Sequence, residues 1–104
     1  MWDGGMREKI AAIVRFTFAP DAEERIAAVI DSTLATTRTF AGCERIDILR
    51  SPERPDEWTL YEVWTDAAME QAYRDFRASP EGADADLAAL LAEPPTLERF
   101  TVRS

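Results

Sequence analysis

The segment from Glu57 to Phe76, EWTLYEVWTDAAMEQAYRDF, constrains the fold more than any other part of the chain. Its first half alternates with a period of two, which predicts a strand. The residues on one face of that strand are Trp58, Leu60, Glu62 and Trp64. After Thr65 the apolar residues recur every three or four positions, which is typical of a helix that carries Tyr73. We therefore expect Trp64 and Tyr73 to border one apolar hollow between sheet and helix.

The rest of the chain divides into further strands and helices. The predicted elements are a strand over 9–18, a helix from Asp21 to about Phe40, strands over 43–50 and 58–64, a helix over about 66–78, a helix beginning at Ser79-Pro80, and a strand over 96–102. The order β-α-β-β-α-α-β is that of the ferredoxin-like split βαβ fold. It predicts an α+β domain over 9–104, with a four-stranded antiparallel sheet and helices on one face. We expect a flexible leader over 1–8.

The second face of the predicted sheet has no helix to cover it, yet it is not consistently polar. If the even-numbered residues of the first strand face the helices, Ala11 and Ile13 point outward. Tyr61 and Val63 occupy the corresponding face of the third strand. Because monomers seldom expose so much apolar sheet, the pattern predicts a homodimer that packs face to face.

Composition removes several classes of function. A net charge of −8 argues against binding a nucleic-acid backbone. The chain has no histidine, so it lacks the commonest general base and the commonest ligand of zinc and haem. Its acidic residues do not follow a calcium-loop spacing, and we expect no metal.

The apolar runs are too short for a membrane span, and the N-terminus does not resemble a secretion signal. Cys43 is the only cysteine, which excludes an internal disulfide and favours the reducing cytoplasm.

Several segments resemble the antibiotic biosynthesis monooxygenase family, which includes quinol monooxygenases. They are VRFTFAPDAEER in the first strand, AGCERIDILR at the start of the second, LYEVW ending at Trp64, and TDAAMEQAY after it. The resemblance covers roughly residues 9–102. It implies a dimeric α/β barrel with a pocket between sheet and helices in each subunit. It also implies oxygenation of an electron-rich phenol, quinol or polyketide-type ring without metal or flavin.

The sequence departs from this family where other members carry their chemistry. Many members have a histidine nine residues after the third-strand tryptophan, and here that position is Tyr73. The haem-degrading branch uses an asparagine in the first strand, at about the position of Val14, together with a histidine early in the last helical segment, and this chain has no histidine. These departures disfavour haem degradation.

The candidate site residues are of two kinds. The candidate catalytic residues are Tyr73, as hydrogen-bond donor or weak acid, and Glu62 or Tyr61, one of which would handle a proton, Glu62 as a base. The candidate substrate-binding residues are Trp64, Phe76, Met69 and Arg38.

Structural alternatives remain open for most of these residues. Trp64 and Tyr73 are also suited to a hydrophobic core, and Arg38 to the C-terminal end of a helix dipole. Glu62 would alternatively form an ion pair with Arg15, Arg45 or Arg99 on a neighbouring strand. The charged residues Arg74, Asp75 and Arg77 are typical of a solvated helix face.

The sequence thus predicts a cofactor-independent monooxygenase-like protein that oxidises a small electron-rich aromatic, quinol or polyketide-type compound. One alternative is a non-catalytic module that binds or senses a small ligand on the same dimeric barrel. Another is a purely structural dimerisation domain. A pocket lined by Trp64 and Tyr73 would favour the first two possibilities.

Overall fold

The computed structural model describes residues 8–103, so most of the predicted leader lies outside the described residues. The strands are β1 (Ile10–Thr17), β2 (Cys43–Ser51), β3 (Arg54–Trp64) and β4 (Thr96–Thr101). The helices are α1 (Glu23–Thr39), α2 (Ala67–Ala78) and α3 (Ala85–Leu90). The strands form one antiparallel sheet in the order β2-β3-β1-β4, which confirms the predicted ferredoxin-like α+β fold.

The period-two patterns of β1 and β3 place the predicted residues beneath the helices. Phe18 meets Trp58 edge-on, with ring centroids 6.4 Å apart. Ile30 and Leu34 of α1 are fully buried in the same cluster. Packing of this apolar face against α1 accounts for much of the stability that short strands lack alone.

None of the helices within 8–103 is both long and apolar enough to cross a membrane.

Two predicted boundaries in the first half of the chain are wrong. β3 begins at Arg54 rather than Trp58, because Ser51 pairs with Arg54 and leaves only two residues in the turn. The two prolines of this segment therefore do not require a long loop. α1 begins at Glu23 without a side-chain cap, because Asp21 adopts a left-handed conformation (φ 66°). Aspartate tolerates that conformation better than most residues.

The predicted start of the third helix is also wrong. Ser79 ends α2 instead, because its hydroxyl donates to the carbonyl of Phe76 over 2.6 Å. α3 begins later, after Asp84, whose carboxylate accepts from the backbone N–H of Leu87 at 3.1 Å. This displacement leaves residues 79–84 as a connection beside α2, and it determines where the space between α2 and α3 lies.

The sheet face without helices is apolar at its centre. Ile13 of β1 lies opposite Tyr61 of β3, and Ala11 lies opposite Val63. Phe100 of β4 also pairs with Ala11 and is 47% exposed. This face is therefore available for packing against another surface.

Candidate functional site

A cavity of about 360 Å³ lies between the sheet and the helices. Its apolar floor comes from the buried faces of β1 and β3 and includes Val14, Phe16 and Leu60. α2 and α3 supply the walls, and Leu97 at the start of β4 borders the remaining side. The polar groups that reach the cavity are few and come from Thr33, Glu62, Tyr73, Arg74, Arg77 and Asp84. Ligand sites in proteins have this mixture of apolar surface and a few polar groups.

A chain of buried ion pairs forms one side of this cavity. Glu62 and Glu70 are each only 2% exposed. Arg74 donates from Nη2 to Glu62 Oε1 and from Nε to Glu70 Oε2, both at 2.6 Å. Trp64 Nε1 also donates to Glu62 Oε1, at 3.0 Å, and Arg99 Nε donates to Glu70 Oε1 at 2.9 Å. The network therefore connects α2 with both β3 and β4.

Arg74 keeps its positive charge in this setting. Burial by itself would lower the pKa of the Arg74 guanidinium, but the charge of Glu62 and the hydrogen bonds to Glu70 and Glu62 outweigh burial and raise that pKa. Two buried carboxylates thus share one buried cation, a geometry that is stable only when all members are present.

The predicted ion-pair partners of Glu62 are wrong. Arg15 pairs with Glu98, Arg45 with Asp47, and Arg99 with Glu70. Arg15 and Arg45 cannot reach Glu62, because the pleat directs them to the opposite face of the sheet.

Two atoms of the network remain available to a ligand. Glu62 Oε2 and Arg74 Nη1 form no hydrogen bond with any of residues 8–103. Every fully buried side-chain nitrogen or oxygen within these residues has a partner, so these two atoms are not fully buried. Both belong to residues that line the apolar cavity.

Trp64 does not line the cavity. Its ring is 0% exposed and stacks on Tyr73, with centroids 4.9 Å apart and planes 29° apart. Phe40 closes the cluster edge-on at 6.4 Å from Trp64. The prediction of a hollow between the two rings is therefore wrong, because the rings are in direct contact. The indole N–H needs an acceptor when it is buried, and Glu62 on the same strand face provides it.

Tyr73 lines the cavity with its ring, while its hydroxyl points to α1. Arg77 Nε donates to the hydroxyl at 2.8 Å, and the hydroxyl lies 2.6 Å from Thr37 Oγ1. The Thr37 hydroxyl donates to the carbonyl of Thr33 at 3.0 Å, so the Tyr73 proton is directed at Thr37. In this arrangement the phenol has no proton free for a ligand.

The other four candidates lie away from the cavity. Phe76 packs on Phe40 in the aromatic cluster, with centroids 5.3 Å apart. Met69 covers the Gly42 turn, and Arg38 is exposed in the last turn of α1. Tyr61 lies on the sheet face without helices. The structure thus brings only Glu62 and Tyr73, of the seven candidates, to the cavity.

The sequence reasoning missed two cavity residues on α2. Arg74 and Arg77 were expected on a solvated helix face, but both are partly buried and line the cavity. A usable signal was the spacing: Arg77 follows Tyr73 by four residues, which places the two side chains on one face of α2. Arg74 follows Glu70 by the same interval.

Cys43 is not suited to nucleophilic chemistry. Burial, and secondarily the charge of Glu62, raise the pKa of its thiol. Only a thiolate is strongly nucleophilic, so this thiol is unreactive near neutral pH. Within the described part of the chain no group of three or more acidic or cysteine side chains is arranged to hold a metal ion.

The model of the antibiotic biosynthesis monooxygenase family matches residues 9–86. The chain therefore belongs to this family. No curated protein shows significant similarity to the sequence.

Solved structures of similar proteins share the fold over nearly the whole chain. Rv0793 from Mycobacterium tuberculosis is 26% identical, with a TM-score of 0.72 and coverage of 92% of this chain and 96% of that one. SnoaB, a cofactor-independent oxygenase from Streptomyces nogalater, is 25% identical, with a TM-score of 0.75 and coverage of 93% and 95%. A conserved protein from Methanosarcina mazei is 15% identical, with a TM-score of 0.78 and coverage of 96% and 98%, and supports the fold alone.

Replacing Arg74 with methionine should lower the free energy of unfolding by about 3–5 kcal/mol, because Glu62 is left buried without a cation and Glu70 keeps only Arg99. Urea unfolding followed by tryptophan fluorescence measures this change. Arg54→Met is the matched control, since it breaks an exposed ion pair with Glu57 beside the β2–β3 turn and should leave the unfolding midpoint unchanged. A loss of less than roughly 1 kcal/mol for Arg74→Met would contradict the structural role given to this network.

Proposed function

We propose that the cavity is the active site of a cofactor-independent monooxygenase that oxidises a small electron-rich aromatic, quinol or polyketide-type compound. The observation that carries the proposal is that Glu62 and Arg74, an ion pair in the lining of an apolar cavity, each keep one atom, Oε2 and Nη1, without a hydrogen-bond partner among residues 8–103. Family membership and the 25% identity to SnoaB, a cofactor-independent oxygenase, support the same reaction class.

The cavity suits a flat ring system. Its volume of about 360 Å³ lies within the range of small-molecule sites. Phe16 and Leu60 of the floor and Leu87 of α3 give it apolar walls on opposite sides. Such walls exclude water, which strengthens every charge interaction inside.

The first chemical step is removal of a proton from the substrate. Glu62 Oε2 accepts the proton of an enol or phenol hydroxyl, and Arg74 Nη1 donates a hydrogen bond to the resulting oxyanion. Both groups are already fixed by the ion-pair network, so little reorganisation is needed when the charge develops. The deprotonated ring is a better electron donor than the neutral one.

The substrate itself supplies all the electrons for oxygen. The enolate transfers an electron to O₂, and the two radicals combine to form a carbon–oxygen bond and a peroxide anion. The peroxide takes back the proton held by Glu62. Loss of water then breaks the O–O bond and leaves a carbonyl, so that a ring CH₂ and O₂ become C=O and H₂O.

A second candidate function is ligand binding without turnover. The contacts of Glu62 favour it, because its Oε1 already accepts hydrogen bonds from Arg74 and Trp64 and so holds the structure together. The two functions bind the same class of ligand in the same cavity and differ in oxygen consumption.

Oxygen uptake with a hydroxylated anthrone should exceed the spontaneous rate. Glu62→Gln should lower kcat by roughly 10²- to 10⁴-fold, because it removes the general base. An oxygen electrode measures the rate. Glu53→Gln, an exposed carboxamide substitution in the β2–β3 turn, is the matched control and should keep the rate of the unmodified protein. Unchanged kcat in Glu62→Gln would contradict the role of Glu62, and ligand binding without oxygen uptake would favour the second function.

We also propose that two copies of the chain pack through the helix-free faces of their sheets. The apolar residues of that face, among them Ile13, Val63 and Phe100, support this arrangement because they would otherwise contact water. Leu49 of β2 is 49% exposed and lies opposite Thr59 on the same face. A second copy offers a self-complementary surface through two-fold symmetry.

Sedimentation velocity should give the mass of a dimer at micromolar concentration. Val63→Arg places a charge at the centre of the apolar face and should shift the protein to the monomer mass, since an unpaired interfacial charge is costly. Ala28→Arg, on the exposed side of α1, adds the same charge to the helix layer and should stay dimeric. A monomer for the unmodified protein, or a dimer for Val63→Arg, would exclude this interface.

A further inference from the structure

The two arginines of α2 that line the cavity differ in how their charge is balanced. Arg74 lies between Glu62 and Glu70. Arg77, three residues further along, is held by uncharged acceptors alone. These are the Tyr73 hydroxyl (2.8 Å), the carbonyls of Gly82 (3.2 Å) and Thr33 (3.1 Å), and the Thr37 hydroxyl (3.3 Å).

Among residues 8–103, the positive charge of Arg77 has no ionic partner. Within residues 8–103 no carboxylate lies at ion-pair distance from its guanidinium. The rings of Tyr73 and Phe76 lie 5.2 and 5.6 Å from it, and they compensate a cation only in part. A partly buried charge is stabilised most by an opposite charge in the same low-dielectric space. The adjoining cavity is the space in which such an anion would be held.

Arg77 also has a donor to offer. Its Nη1 donates one hydrogen bond, to the carbonyl of Gly82, and the second hydrogen on that nitrogen has no acceptor within the described residues. A ligand carboxylate would therefore gain a charge-assisted hydrogen bond from a guanidinium whose orientation is already fixed by four others.

Two acidic residues line the cavity, and Asp84, unlike Glu62, forms no ion pair among residues 8–103, so its negative charge opposes this effect. Its Oδ1 accepts from the backbone N–H of Leu87 at 3.1 Å, and its Oδ2 accepts from the hydroxyl of Thr33. One oxygen of Asp84 therefore caps the start of α3, and the other links α3 to α1. The negative charge of Asp84 weakens the attraction of Arg77 for an anion, although the two side chains form no ion pair. Substitution of Asp84 therefore tests the proposed role of Arg77.

We propose that the cavity selects aromatic ligands that carry a permanently ionised acidic group, and that Arg77 binds this group. The proposal rests on the proposed function in taking this cavity as the substrate site, and it deepens that function by naming the substrate class. Arg77 is then the residue that determines specificity, while Glu62 and Arg74 act on the ring that is oxidised.

Two compounds of the same shape test the preference for an anion. 2-Naphthoate and 2-naphthamide differ in charge, and neither carries the hydroxyl that oxygenation requires, so binding is measured without turnover. Isothermal titration calorimetry should show that 2-naphthoate binds roughly tenfold more tightly, as expected for one charge-assisted hydrogen bond. Equal affinities would overturn the proposal.

Substitutions test whether Arg77 causes the preference for 2-naphthoate over 2-naphthamide. Arg77→Gln should bring the ratio of the two affinities close to one. Asp84→Asn should increase the ratio, because asparagine still caps α3 while a negative charge leaves the lining. Arg25→Gln, on the exposed surface of α1, is the matched control and should leave the ratio unchanged.

The outcome is decisive even if Arg77→Gln does not fold, because Asp84→Asn and the unmodified protein still report the charge preference. A ratio that Asp84→Asn leaves unchanged, or that a folded Arg77→Gln retains, would overturn the proposal. A preference for the anion in a protein that consumes no oxygen would leave this proposal standing and reject the oxygenase. Oxygen uptake with an uncharged anthrone, together with equal affinities for 2-naphthoate and 2-naphthamide, would support the oxygenase and overturn the proposed preference for an anion.

Discussion

The guanidinium of Arg74, shared by two buried carboxylates, is the interaction on which the site depends. It ties α2 to β3 through Glu62 and, by way of Glu70 and Arg99, to the edge strand β4. Removing Arg74 would leave Glu62 in the interior without a cation, so Arg74 is the member on which the group depends. The same contacts hold Glu62 and Arg74 in the lining of the cavity. The structural role and the chemical role that we propose therefore fall on one set of side chains.

The aromatic cluster beside this network contains one residue that only packs the core, Trp64, and one that also lines the cavity, Tyr73. Trp64 fills the end of the core, stacks on Tyr73 and donates its indole N–H to Glu62. Of the two stacked residues only Tyr73 lines the cavity, and Trp64 is buried behind it. Tyr73 therefore contributes a wall, and its hydroxyl joins α1 to α2 through Thr37. Helix α3 provides the opposite wall because it begins after Asp84, which leaves room beside α2.

Local patterns were sufficient to predict the sheet and the order of its elements, because alternation in β1 and β3 is decided by neighbours in sequence. Partners that are distant along the chain were not accessible in this way. Glu62 and Arg74 are 12 residues apart and meet only when α2 packs on β3. Charge runs on helices look alike whether a cavity or solvent faces them, so Arg77 was expected on the surface. The burial of Trp64 likewise depends on its contact with Phe40, which follows the end of α1.

A crystal structure of the protein with 6-hydroxy-2-naphthoate, prepared without oxygen, tests the central claim most directly. The account predicts the ring between Leu60 and Leu87, its hydroxyl within hydrogen-bond distance of Glu62 Oε2, and the Trp64–Tyr73 stack unchanged. A ligand inserted between those two rings, or bound only outside the space between the sheet and α3, would contradict it.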